Sequence, residues 1–100
     1  MAGDIPELVR RAVYDRDQGT CRMCGSFATA PHLHHVDYRS QGGRHVMENL
    51  VTLHFECHDR VHSQKNLWQP ILRVVAITPG VNGMQLLRWA KATERQAVPR

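Results

Sequence analysis

Residues 21–62 read CRMCGSFATAPHLHHVDYRSQGGRHVMENLVTLHFECHDRVH. Two ligand patterns interleave in this stretch. One joins Cys21-x-x-Cys24 to His54-x-x-Cys57; the other is the series His34-His35, Asn49, His58 and His62. Each pair of the first pattern sets two ligands one short turn apart. Two such pairs can close a tetrahedron of three thiolates and one imidazole, a donor set that favours zinc over magnesium or calcium. Gly25, directly after the second cysteine, lets the chain turn sharply around a metal. A redox role for Cys21 and Cys24 would call for a thioredoxin-like βαβ unit, and nothing around them reads that way.

The second pattern rides on a strand, loop, strand, helix order. Leu33 to Tyr38 reads as a short strand, and the loop from Arg39 to Arg44 carries Gly42 and Gly43. Asn49 to Leu53 reads as a second strand, and a helix is expected from Phe55 to about Lys65. His58 and His62, one helical turn apart, share a face. Cys57 and His58 are adjacent and point apart, so one helix can serve two metals. In a strand His34 and His35 face opposite sides. Near a strand end or a bulge such a pair can instead flank a substrate, one binding metal and one reaching a water. Taken singly, His32 and His45 read as structural or surface histidines. The cysteine-rich site is closed and structural. The histidine site is open with a spare histidine beside it, which is the equipment for hydrolysing a phosphodiester.

Working outward, Pro6 and Glu7 open a helix predicted over roughly residues 6 to 16, and Asp17 to Thr20 close it. On the other side, the β-branched run Ile71 to Ile77 predicts a strand and Thr78-Pro79-Gly80 a turn. Asn82 is placed to cap a final helix over roughly 83 to 96, with Leu86, Trp89 and Ala90 as its packing stripe. Arg88, Lys91 and Arg95 fall on another face and read as a solvated stripe. The fold class expected is α+β. It is a single domain over 1–100, with a core of about 16–65, a preceding helix and a strand–helix extension over about 66–100. A chain of 100 residues buries little core, and a metal staple suits that size. The formal charge of +4 and pI near 9.4 suit an anionic partner without naming one. With no apolar leader and no run of ~20 apolar residues, a soluble, cytoplasmic protein with no membrane partner is expected.

The order Arg16-Asp17, Cys21-x-x-Cys24-Gly25, His34-His35-Val36, Arg39-Ser40-x-Gly42-Gly43, Asn49-Leu50, Leu53, Cys57-His58 and His62 resembles the HNH, or ββα-metal (His-Me finger), endonucleases. The resemblance covers about half of the chain, and its specificity lies in two interleaved metal patterns matching in order. It implies a ββα-metal fold with zinc knuckles and divalent-metal-dependent cleavage of DNA. It also implies roles. His34 would be a metal ligand, His35 the general base, and Asn49 the residue that fixes the inter-strand loop. His58 would be the helix ligand, and His62 the additional ligand of the colicin-type branch. Many relatives carry aspartate where His34 stands and a second Cys-x-x-Cys where His54 stands. Small members of the family occur in phage and other mobile genomes, an origin that suits this chain by resemblance only.

An imidazole with an ordinary pKa of ~6.5 suits a general base near neutral pH. The expected products, by resemblance, carry 5′-phosphate and 3′-hydroxyl ends. Arg39 and Arg44 are candidates for flanking phosphates of double-stranded DNA. One catalytic divalent metal is expected: imidazole ligands favour zinc, nickel or manganese, and waters with phosphate oxygens would let an open site take magnesium. The alternative readings are a zinc-stabilised DNA-binding module without activity and a metal-binding interaction protein. The complete set His34, His35, Asn49 and His58 argues against both, since a pure binder has no use for it.

Overall fold

The computed structural model describes residues 5–38 and 42–97, with side chains through residue 93. Helix α1 spans Glu7–Asp17 and starts on the Pro6 carbonyl, which accepts from the amides of Val9 and Arg10 at 3.0 Å each. Gln18 ends it in the left-handed conformation at φ 54°, its N–H donating to Tyr14 O. Strands β1 (His32–His35) and β2 (Leu50–Leu53) form an antiparallel hairpin in regular register, His32 opposite Leu53 and His35 opposite Leu50. A single 3-10 turn, Met47–Asn49, leads into β2. The first strand therefore starts one residue earlier and ends three residues sooner than the sequence predicts, because the chain bends at Val36 and Asp37 to enter the loop.

Helix α2 spans Phe55–Ser63 and breaks at Gln64, and α3 follows at once over Lys65–Ile77. Here the structure corrects the expected strand at Ile71–Ile77: the whole segment is helical, with Pro70 inside it. The buried residues are Trp68, Leu72, Val75 and Ala76, while Arg73, Val74 and Ile77 are exposed. That spacing is the helical period, so burial of one apolar stripe overrides the β-branched preference. The extension is thus helix–helix, not strand–helix. The final helix α4 spans Gly83–Ala97. Asn82 Oδ1 accepts from Gln85 N at 3.0 Å, and Gln85 Oε1 accepts from Asn82 N at 2.9 Å, a reciprocal cap. Its packing stripe is also corrected. Met84, Leu86 and Leu87 pack on the core, whereas Trp89 is 57% exposed and Ala90 is exposed.

One apolar cluster runs through the molecule: Cys21 and Met23 from the first knuckle, Val51 and Leu53 from β2, Val61 from α2, and Trp68, Leu72 and Val75 from α3. The start of α4 is tied to the knuckle by its own amides, Gly83 N donating to Arg22 O at 2.7 Å and Met84 N to Met23 O at 2.9 Å.

A buried polar network fastens the same elements. Asp17, 4% exposed, accepts from Arg16 Nε (2.6 Å), Arg22 Nη1 (2.7 Å) and both the amide and the hydroxyl of Thr52 (3.2 and 2.8 Å). Arg22 Nη2 reaches the carbonyls of Val75, Thr78 and Val81 at 2.8–3.0 Å, closing the end of α3. Burial opposes the Asp17 charge, but the hydrogen bonds from Arg16 and Arg22 prevail and hold its carboxyl below the ordinary value of 3.8. Asp17→Ala would leave the buried Arg22 guanidinium without its counter-charge, and the expected cost is ~3–5 kcal/mol, read by urea unfolding of the metal-loaded protein. A depressed carboxylate stabilises the fold above its unfolded pKa. The wild-type advantage over Asp17→Ala should therefore be full above about pH 4 and shrink as pH falls below it. Equal unfolding midpoints for the two proteins would rule the network out as a major stabiliser.

Candidate metal centre

Two clusters of ligand atoms form within the described residues. The first comprises Cys21, Cys24, His54 and Cys57, one ligand atom from each, all within 4.8 Å of one another. The knuckle after α1 supplies the first two, and the turn into α2 supplies the others. His54 Nδ1 stands 3.3 Å from Cys24 Sγ and 3.9 Å from Cys57 Sγ, while its Nε2 meets the Phe27 carbonyl at 3.0 Å. Zinc bonds of ~2.3 Å to sulfur and ~2.1 Å to nitrogen put tetrahedral neighbours ~3.6 Å apart, so the set fits a structural zinc. The carbonyl selects the Nε2–H tautomer of His54 and aims Nδ1 at the sulfurs. Burial works against a thiolate at Cys24, but hydrogen bonds from the Ser26 backbone, Cys21 and the Ser26 hydroxyl bring it down to about 7. Burial, and then the charge of Cys21, push Cys57 up to about 12. Three sulfurs this close cannot all ionise without a cation between them.

The second cluster comprises His34, His58 and His62, again with ligand atoms within 4.8 Å of one another. His34 comes from β1 and the other two from one face of α2, where His58 Nε2 and His62 Nε2 lie 3.0 Å apart. His34 is 2% exposed, and its Nε2 is buried without a hydrogen-bond partner among the described residues. Burial, then the nearby His58 and His62, hold its pKa down to about 3. His58 is lowered too, by burial, then by His62 and His32, against Asp59. His34 and His58 are thus kept neutral, each with one ring nitrogen free to hold a metal. A metal ~2.1 Å from two nitrogens sets them ~3.0–3.4 Å apart, so this donor set also fits a metal.

His35 leaves the other face of β1, as the regular register requires. No bulge brings His34 and His35 to one side; His35 is the last residue of the strand. His35 Nε2 meets His45 Nδ1 at 2.9 Å. Asn49, 8% exposed, pins both ends of the inter-strand loop. Its Oδ1 accepts from Asp37 N at 2.7 Å, and its Nδ2 donates to Asp37 O and Arg44 O at 3.1 and 3.0 Å. Gly43 passes so close to the Asp37 carbonyl that a Cβ there would collide with it, which is why a glycine stands at this position.

The HNH endonuclease family model matches residues 21–64, the stretch that contains both clusters. This segment is an HNH domain. A search of curated proteins returned no match to the chain. The β1–β2 hairpin and α2 of the HNH domain make its ββα-metal fold, and α1 and the α3–α4 pair pack around it. HNH domains typically bind DNA and point to nuclease or DNA-binding activity at a metal site. No helix among the described residues is long and apolar enough to cross a membrane.

Several residues that sequence reasoning passed over belong to the site. His32 Nδ1 lies 3.0 Å from His58 Nδ1. Its position two residues before His34, on the same strand face, was the available signal. His45 had no such signal, since only the loop path brings it to His35. Tyr38 packs on both His34 and His62, with ring centroids 5.6 and 5.1 Å away, and the Lys65 ammonium sits 4.7 Å over the Tyr38 ring. Gln69 and Arg73 of α3 hold the loop entrance. Gln69 donates to Val36 O at 2.9 Å, and Arg73 Nη2 to Asp37 Oδ1 at 2.6 Å. Arg44 is exposed on the loop, Arg39 lies outside the described residues, and so does the Arg95 side chain.

Proposed function

We propose that the protein is a divalent-metal-dependent DNA endonuclease. In this reading His35 is the general base, and His34, His58 and His62 hold one catalytic metal. The observation that carries it is the buried, unpartnered Nε2 of His34, clustered with two helix histidines and followed by a second histidine on the opposite face of the strand. A structural site has no reason to leave a buried nitrogen unsatisfied, whereas a metal ligand needs that lone pair.

Water attacks the phosphodiester in line with the leaving 3′-oxygen, and the protein's work is positioning and charge neutralisation. His35 accepts the proton of that water, and His45 holds the imidazole in place until substrate arrives. Asn49 keeps the loop, and hence the end of β1, in one conformation. A bound metal supplies Lewis-acid stabilisation of the charge that grows on the phosphate and the leaving oxygen. Arg44, and Arg39 five residues before it in sequence, would meet flanking phosphates of double-stranded DNA. The products carry 5′-phosphate and 3′-hydroxyl ends. Cys21, Cys24, His54 and Cys57 hold a structural zinc.

Supercoiled plasmid incubated with zinc-loaded protein and magnesium, manganese, nickel or zinc tests this directly. Conversion to nicked or linear DNA is expected with at least one metal. Protein that binds DNA but cuts with none of them would be a binding module instead. DNA affinity should fall linearly on log–log axes as salt rises, because a protein with net charge +4 binds chiefly phosphates. It should also depend little on sequence. A flat salt response in fluorescence titrations would exclude that mode.

A further inference from the structure

We propose that His32 is a positioning residue for the metal held by His34, His58 and His62: it accepts a hydrogen bond from His58 Nδ1–H and thereby dedicates His58 Nε2 to the metal. The inference rests on the metal-site reading above and adds a residue to it.

The geometry is specific. His58 has one ring-nitrogen contact on each edge, His32 Nδ1 at 3.0 Å from its Nδ1 and His62 Nε2 at 3.0 Å from its Nε2. The two nitrogens of an imidazole point away from each other, so His32 is on the far side of His58 from the cluster and is no fourth ligand. Each close nitrogen pair needs one proton between its members, and a neutral His58 carries only one. If Nε2 gives its lone pair to a metal, that proton resides on Nδ1 and points at His32 Nδ1. His32 then carries its own proton on Nε2. A ligand histidine held by a hydrogen bond from its other nitrogen is a general feature of metal sites, and loss of the acceptor typically costs ~10–100-fold in metal affinity. His32 is itself held. It is anchored in β1 opposite Leu53, and its ring packs edge-on against Phe55, with centroids 5.5 Å apart. A residue that were merely filling space would not need a nitrogen at this point.

The test is calorimetric titration of zinc-loaded protein with Ni2+, alongside nitrogen-15 NMR of the histidine rings before nickel is added. Wild type should bind one further metal ion per chain, and His58 should show the Nδ1–H tautomer. His32→Phe keeps the ring and removes the acceptor; nickel affinity should fall ~10–100-fold and the His58 tautomer should shift toward Nε2–H. His32→Asn places an amide oxygen near the site of Nδ1, and most of the affinity should return. That recovery separates a lost hydrogen bond from a damaged fold. Wild-type nickel affinity and an unchanged tautomer in His32→Phe would overturn the role of His32 while leaving the metal site standing. A wild type that takes up no metal beyond its zinc would overturn the metal-site reading and this inference with it.

Discussion

Removing the zinc is expected to unfold the whole chain, not to loosen one corner. Cys21 is fully buried and belongs to the central apolar cluster, and Met23 of the same knuckle is 1% exposed. The knuckle carbonyls hold the first amides of α4, and Arg22 holds the end of α3. Without a cation, the pull between Cys21, Cys24 and Cys57 becomes a repulsion of thiolates or a burial of thiols lacking partners. Structural zinc contributes ~10–16 kcal/mol of apparent binding free energy, and that is comparable to the ~5–15 kcal/mol stability of an entire domain. Cys21→Ser, Cys57→Ser and prolonged chelation should therefore each abolish the cooperative thermal transition seen by circular dichroism. Elemental analysis should find about one tightly held zinc per purified wild-type chain. Well-folded protein with no zinc would sink this expectation.

His35→Ala is expected to lose ~10²–10⁴-fold in single-turnover plasmid cleavage, the usual value of a general base. Fold, zinc content and DNA affinity should stay near wild type, because His35 belongs to neither ligand cluster and pairs with His45, a loop residue. His58→Ala should also stop cleavage, but by a different route. It removes one of three metal-holding nitrogens, so raising the metal concentration should restore part of the activity. It should restore none to His35→Ala. If His35→Ala cleaves at the wild-type rate with the same metal response, the mechanism is wrong whatever the domain does with DNA.

The ligand patterns were legible in the sequence for a local reason. A Cys-x-x-Cys turn and a histidine pair spaced by one helical turn carry their geometry with them, and the HNH segment, its hairpin and its helix follow from those spacings. The region after residue 64 was not legible in the same way. Ile71, Val74, Val75 and Ile77 favour a strand by side-chain shape, and Pro70 argues against a helix interior, yet the segment is α3. What decided it is a stripe that becomes a stripe only when Trp68, Leu72, Val75 and Ala76 meet the knuckle and β2. The role of α3 was equally hidden, since Gln69 and Arg73 touch the entrance of the inter-strand loop across more than 30 residues of chain.

The amino-acid order by itself determined which side chains can be ligands and which element carries each, because those choices depend on neighbours within a few residues. Only the tertiary structure decided that His34 is buried with an unsatisfied nitrogen and that His32 and His45 stand against His58 and His35. The same holds for Asp17 and Arg22, two charged residues that form the buried joint between α1, β2 and α3. Burial and pairing of polar groups are properties of elements brought together from distant parts of the chain, and no local pattern encodes them.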